Sequence, residues 1–441
     1  MKESLVPRNP IFIWILGLAI TMISCIALNV PGINTQTPTS QTDTNGLIAY
    51  LGSDGNLYTI SDQGRNKTAI TMDAVSNASD DTTFRVYAHP AWAFDGRHLA
   101  FVSLEADKGK FLARLLVADT STAEVTEIFS SDKESPFYLY WDPHGERVSF
   151  LSSISGGSEL FLRFAYLNGE NSRLIDTGQP YYWVWAPDGS EIYIHEGGSI
   201  STNPNARLTL LSVDDNQARL ISHSPANFQA PAWSPDGKNL LAAFQEGNKK
   251  SLALMDNNGK LIKELADFEA TLAFNWSPDG EHIAYLPTTL ESRGILGQLL
   301  IIPAGSAEIV HKTQENNIIA YFWAPDGKKI AFFSTSNSGI NDSEISTRKQ
   351  ETITVDLNVL DLVTGQTRYL ASLHPTSGLL SILPFYDQYS HSATIWSPNS
   401  RKIVYTSESS DQGAGVWVVS VDEESQPVRI ADGVYAFWSW K

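Results

Sequence analysis

Trp233-Ser234-Pro235-Asp236-Gly237 is the stretch that most constrains this chain, because the sequence repeats it. Trp276 opens the same five residues, Trp185 and Trp323 open Trp-Ala-Pro-Asp-Gly, Trp141 opens Trp-Asp-Pro-His-Gly and Trp396 opens Trp-Ser-Pro-Asn-Ser. Trp92 begins a looser copy, Trp92-Ala93-Phe94-Asp95-Gly96, and Trp438-Ser439 an eighth that stops short at Lys441. Successive tryptophans lie 49, 44, 48, 43, 47, 73 and 42 residues apart. Such a period marks a propeller or another repeat array, whose units must stack to bury their apolar faces.

Each unit reads as a four-stranded antiparallel meander. An alternating run comes after the motif, as in Lys328-Lys329-Ile330-Ala331-Phe332-Phe333. A third strand is next, such as Ser251-Leu252-Ala253-Leu254-Met255, then a turn such as Asp256-Asn257-Asn258-Gly259, then a fourth strand such as Lys260-Leu261-Ile262-Lys263-Glu264-Leu265. An aromatic share of 11%, with 30 Gly and 21 Pro, fits an all-β chain rich in turns.

The first unit, from Leu47, supplies strands two to four without a strand one. The last fragment, Gly433-Val434-Tyr435-Ala436-Phe437-Trp438, is a strand one with nothing after it. Joined, they make one complete blade. The expectation is therefore an eight-bladed β-propeller over residues 46–441, closed by the C-terminal strand joining the N-terminal blade; seven blades would leave one motif unplaced.

The 31 Lys plus Arg stand against 49 Asp plus Glu, a formal charge of −18. That surface repels phosphate backbones, so nucleic acid is not an expected partner. Cys25 is the single cysteine, which excludes a disulfide or a Cys-based metal site in the folded part.

Lys2 and Arg8 precede an almost unbroken apolar run from Ile11 to Val30, long enough to cross a bilayer and oriented to place the rest of the chain outside the cytoplasm. Two readings stand for residues 1–30: an uncleaved single-span anchor, or a secretory signal ending at Met22-Ile23-Ser24-Cys25. That tetrad resembles a bacterial lipobox, in which the cysteine, here Cys25, is lipidated. Either one tethers the protein to a membrane. Residues 31–45, Thr-rich and without periodicity, read as a flexible linker.

The repeat resembles the WD-like propeller repeats of the TolB family, with Trp-Ser-Pro-Asp-Gly followed by a basic residue and an Ile-Ala-Phe strand. Trp233 to Leu241, Trp276 to Tyr285 and Trp323 to Phe332 carry the resemblance. It implies the fold and says little about activity; TolB's additional N-terminal domain and fewer blades do not fit the eight-bladed expectation, so a role identical to TolB is not implied.

The motif itself reads as structural. Pro presets φ near −65°, Asp accepts backbone amides, and Gly takes the φ of the turn exit. Trp92, Trp141, Trp185, Trp233, Trp276, Trp323, Trp396 and Trp438 are large enough to fill the seams between blades. These turns share one face of the disk, so the insertions at 71–86, 196–206, 287–297, 334–351 and 371–392 fall on the other, the expected working face. Aromatics gather towards it: Tyr138, Tyr140, Tyr181, Tyr182, Trp183 and Tyr321 upstream of the tryptophans, with Phe385, Tyr386 and Tyr389 in the longest insertion. They are candidates for gripping a sugar or peptide, or else for packing between blades.

No Gly-x-Ser-x-Gly elbow, His-Glu-x-x-His, P-loop or dinucleotide fingerprint occurs. His89, His374 and His391 fall near the second face but show no ligand spacing. The expected function is a membrane-tethered, extracytoplasmic, monomeric propeller that binds a protein, peptide or glycan without catalysis, cofactor or metal. The alternative is a propeller hydrolase or lyase acting on sugars or lactones at the central channel.

Overall fold

The computed structural model describes residues 46–75, 83–198, 206–226, 229–289, 296–336 and 353–441. Cys25, the Ile11–Val30 run and the 31–45 linker lie outside the described residues, as do most of 196–206 and 334–351. No helix among the described residues is long and apolar enough to cross a membrane.

The strands form antiparallel meanders, as the motif spacing requires. Five sheets have four strands each, paired in sequence order, and a ten-stranded sheet joins the end of the chain to its beginning. In the sheet Ala232–Trp233, Asn239–Glu246, Lys249–Asp256 and Leu261–Phe268, the second strand has the burial pattern of a core strand and the fourth is mostly exposed. The first strand of each meander is thus the innermost, the strand arrangement of a β-propeller.

The last strand, Val428–Trp438, serves two sheets. Val428–Asp432 pairs with Gly415–Ser420, and Gly433–Trp438 pairs with Ile48–Gly52 in the register Ile48 to Trp438, Tyr50 to Ala436. Lys402 Nζ bridges to the buried Asp62 carboxylate at 2.5 Å across the same seam.

The motif turns behave as their chemistry demands. Asp236 Oδ1 accepts the Ser234 hydroxyl at 2.7 Å and the Lys238 amide at 3.1 Å, and Gly237 sits at φ +70°. Where His144 replaces the aspartate, Asp142 one position after the tryptophan takes over, accepting the Glu146 and Arg147 amides at 2.8 and 3.1 Å. Where serine replaces the glycine, Ser400 adopts φ +59° and accepts the Asp326 amide of the neighbouring turn at 3.0 Å. The tryptophans fill the seams: all eight are buried, and the Nε1 of Trp141, Trp185 and Trp396 donate to Ala91 O, Ser149 Oγ and Phe322 O.

One departure from an all-β chain matters for function. The 371–392 stretch, expected as a loop, begins as strand, since Gln366–Pro375 runs through His374 and Pro375 to pair with Ser407 and Glu408. It continues as helix α1 (Ser377–Ile382), a 3₁₀ turn (Leu383–Phe385) and helix α2 (Tyr386–Tyr389). Thr376 caps α1, its hydroxyl accepting from Leu379 N. A Cβ on Gly378 would lie 2.1 Å from Val434 O, so only glycine lets α1 approach the last strand this closely.

Candidate functional site

Segment 376–393 reaches the innermost strands of five meanders and the residues leading into a sixth, which places it at the propeller's centre. Thr376 Oγ1 donates to Val434 O at 2.6 Å. Tyr138 Oη donates to Gln388 O at 2.8 Å, and Gln388 Nε2 donates to Trp183 O at 3.1 Å. Ala230 N donates to Asp387 Oδ2 at 3.2 Å, and Asn275 Nδ2 to Ser390 Oγ at 3.0 Å. The Tyr386 ring meets Tyr321 edge-on at 5.1 Å and Phe322 at 6.4 Å. This is a plug: a covalently attached segment that spends its polar atoms on the backbones and side chains lining the channel.

The aromatic residues singled out in the sequence are mostly part of that packing. Tyr138, Tyr140, Tyr181, Trp183, Tyr321 and Tyr386 are buried. Tyr138 stands edge-on to both Trp183 and Tyr389 at 5.1 Å, and Tyr140 lies 6.3 Å from the His391 ring. Rings this enclosed have no face left for a ligand while the plug is seated. Tyr181 is turned elsewhere, donating to Asp176 Oδ2 at 3.0 Å. Tyr182 and Tyr389 keep partial exposure. Phe385 and Leu380, each 36% accessible, give the plug an apolar outer surface beside exposed Ser381 and Pro384.

The centre also holds titratable groups. Burial raises the Asp387 carboxyl to about 6 against the opposing pull of the Ala230 and Gln388 amides. Burial lowers His391 and His89 to about 4, so both are neutral at pH 7. His89 takes φ +54° at a break in strand register, and Tyr138 takes φ +46° at the matching break one meander on. Both sit three residues before their motif tryptophan, so the bulge is a shared device for turning a side chain inward. His374 lies apart, with Nδ1 3.2 Å from Thr354 Oγ1. Among the described residues no three His, Cys, Asp or Glu side chains converge as metal ligands.

Sequence reasoning passed over Asp387, Gln388, Ser390 and Asn275. Nothing in their spacing marks them, because each owes its position to contacts spanning from 115 to 205 residues or more. A cleft of about 840 Å³ lies away from the centre, lined by Val75, Phe84, Arg85, Glu105 and Lys110 among others. Arg85 is committed there to ion pairs with Asp73 and Glu105.

No family model matches the chain. The uncharacterized peptidase YuxL of Bacillus subtilis is 24% identical over 228 residues, which is 50% of this chain and 32% of that protein; the chain thus spans about a third of this relative's length. Among solved structures, the dihydro-heme d1 dehydrogenase NirN is 12% identical, with 92% of this chain and 78% of that one covered at a TM-score of 0.53. Oligogalacturonate lyase from Vibrio parahaemolyticus is 14% identical, covering 86% and 98% at 0.50. TolB from Acinetobacter baumannii is 14% identical, covering 80% of each chain at 0.36. At these identities the likeness is one of fold, and the chain is a β-propeller.

Proposed function

We propose that this chain is an eight-bladed propeller, its ring closed through the last strand, that is held at a membrane outside the cytoplasm and binds a protein, peptide or glycan on its loop-rich face without chemistry of its own. The observation that carries the reading is the plug. A channel filled by the chain's own segment, with its hydrogen bonds directed to the inner blade strands, favours a ligand that docks across the loop-rich face over one processed inside the channel. Eight motif tryptophans support the blade count, and the pairing of Gly433–Trp438 with Ile48–Gly52 supports closure. The exposed Leu380 and Phe385 supply an apolar centre to that face, the place where binding hot spots concentrate.

The test uses the full chain in detergent as bait for cell-envelope proteins, and as a probe on peptide and glycan arrays. A specific ligand retained by the wild type and lost at least tenfold by the Leu380→Ala, Phe385→Ala double variant is expected. Retention unchanged by the double variant moves the site elsewhere, and turnover of an array ligand removes the non-catalytic reading. Fatty-acid labelling of cells, with Cys25→Ser as control, tests lipidation against a single-span anchor.

A further inference from the structure

The plug interrupts a strand. Where it starts, His374 and Pro375 pair with Glu408 and Ser407; where it ends, Trp396 pairs with Ile403 and Val404 N donates to Ile395 O at 2.8 Å. Both ends therefore lie along one partner strand, Lys402–Glu408. On that strand four steps lead from Ser407 to Ile403, whereas twenty-one lead from Pro375 to Trp396, so the antiparallel ladder is fed seventeen residues more than it pairs. With residues 377–393 set aside, Thr376, Thr394 and Ile395 fall opposite Thr406, Tyr405 and Val404, and the ladder is continuous. Thr376 already stands where this register requires, its hydroxyl 2.7 Å from that of Thr406.

The innermost strand of this meander is thus complete without the plug, and the pairing of the two chain ends runs through other residues, Gly433–Trp438 and Ile48–Gly52. What the plug offers the channel is the chemistry of a bound polypeptide. Tyr138 Oη donates to a main-chain carbonyl, Trp183 O accepts a side-chain amide, Ala230 N donates to a carboxylate and Asn275 Nδ2 to a hydroxyl. Leu379, Ile382 and Leu383 are buried alongside. Buried polar groups that lose their partners are costly, so an occupant that takes the plug's place must satisfy the same set while filling the same apolar space. A polypeptide segment supplies carbonyl, amide, carboxylate and apolar side chains together.

We infer that residues 377–393 are an autoinhibitory insert: a ligand held in cis that closes a polypeptide-binding channel and leaves it as a unit, hinged at Thr376 and Thr394, when a segment of like chemistry competes. The inference rests on the strand register and the plug's contacts, and stands whether or not the loop-rich face captures a partner.

Deletion of 377–393 from the full chain, joining Thr376 to Thr394, tests this in detergent, with the acetylated and amidated synthetic peptide of sequence 377–393 as probe. The deletion variant is expected to keep its β spectrum and a cooperative thermal transition, and to bind the peptide saturably in calorimetry, at least tenfold more tightly than the wild type does. The peptide carrying Gln388→Ala should bind several-fold more weakly, and so should the unaltered peptide to the deletion variant carrying Tyr138→Phe, because each change removes one hydrogen bond made in cis. Amide exchange in the unaltered chain is the second measurement: residues 377–393 are expected to exchange together, at least tenfold faster than Lys402–Glu408. The exchange result decides the matter if the deletion variant does not fold. A folded deletion variant that takes up no peptide, equal binding by variant and wild type, binding indifferent to both Gln388→Ala and Tyr138→Phe, or plug amides that exchange only together with Lys402–Glu408 overturns the inference.

Discussion

The Tyr138 hydroxyl donates to the main-chain carbonyl of Gln388 at 2.8 Å, joining residues 250 positions apart and tying the plug to the strand Glu134–Trp141. Both partners are buried, so losing the donor leaves an unsatisfied carbonyl at a cost of about 1–3 kcal/mol. Tyr138→Phe is expected to lower the urea midpoint accordingly without changing the m-value. Amide exchange in residues 386–392 should accelerate more than in the outer strands.

Ser400 sets two effects against each other. Its φ of +59° favours glycine, whereas its hydroxyl holds the Asp326 amide at 3.0 Å. Ser400→Ala loses the hydrogen bond and keeps the strain, for an expected loss of about 1–2 kcal/mol. Ser400→Gly regains part of this through backbone relief of about 1 kcal/mol. Glycine above alanine in thermal stability is the expected order.

The motif tryptophans are not equivalent. Trp396 donates to Phe322 O at 3.0 Å, while the Trp438 Nε1 has no hydrogen-bond partner among the described residues. Both are fully buried, so replacement by phenylalanine opens a similar void in each. The Trp396→Phe variant should be the less stable by about 1 kcal/mol in denaturant melts, the worth of its extra hydrogen bond.

Asp387 makes stability depend on pH in a particular direction. Its folded value of about 6 lies above the ordinary value of 3.8, so the folded state binds the proton more tightly. The resulting stabilisation is full below about pH 4 and is lost as pH rises through 6. Asp387→Asn should therefore gain on the order of 2 kcal/mol over wild type at pH 8 and little at pH 4. Parallel melts of the two proteins across this range give the difference directly.

Much of the fold was legible because the turn chemistry repeats. Pro, Asp and Gly each have a local conformational reason to be where they are, and even Asp142 for Asp and Ser400 for Gly are local substitutions within one turn. The join between Gly433–Trp438 and Ile48–Gly52 could be read as well, since two incomplete units are complementary. The centre was opaque for the opposite reason. Residues 377–389 lack any repeat to calibrate them, and their helical conformation is held by distant partners such as Trp183 and Ala230. The aromatic cluster was therefore recognised as a group, but whether Tyr138 and Tyr386 faced solvent or each other's strands depended on where the longest insertion went.

The double duty of Val428–Trp438 fixes an order of events during synthesis. Ile48–Gly52 emerges from the ribosome long before its inner partner is made. Until then that strand carries an open hydrogen-bonding edge, the kind on which other chains assemble. Val428–Trp438 is the strand that covers this edge, and through Val434 it also receives the plug.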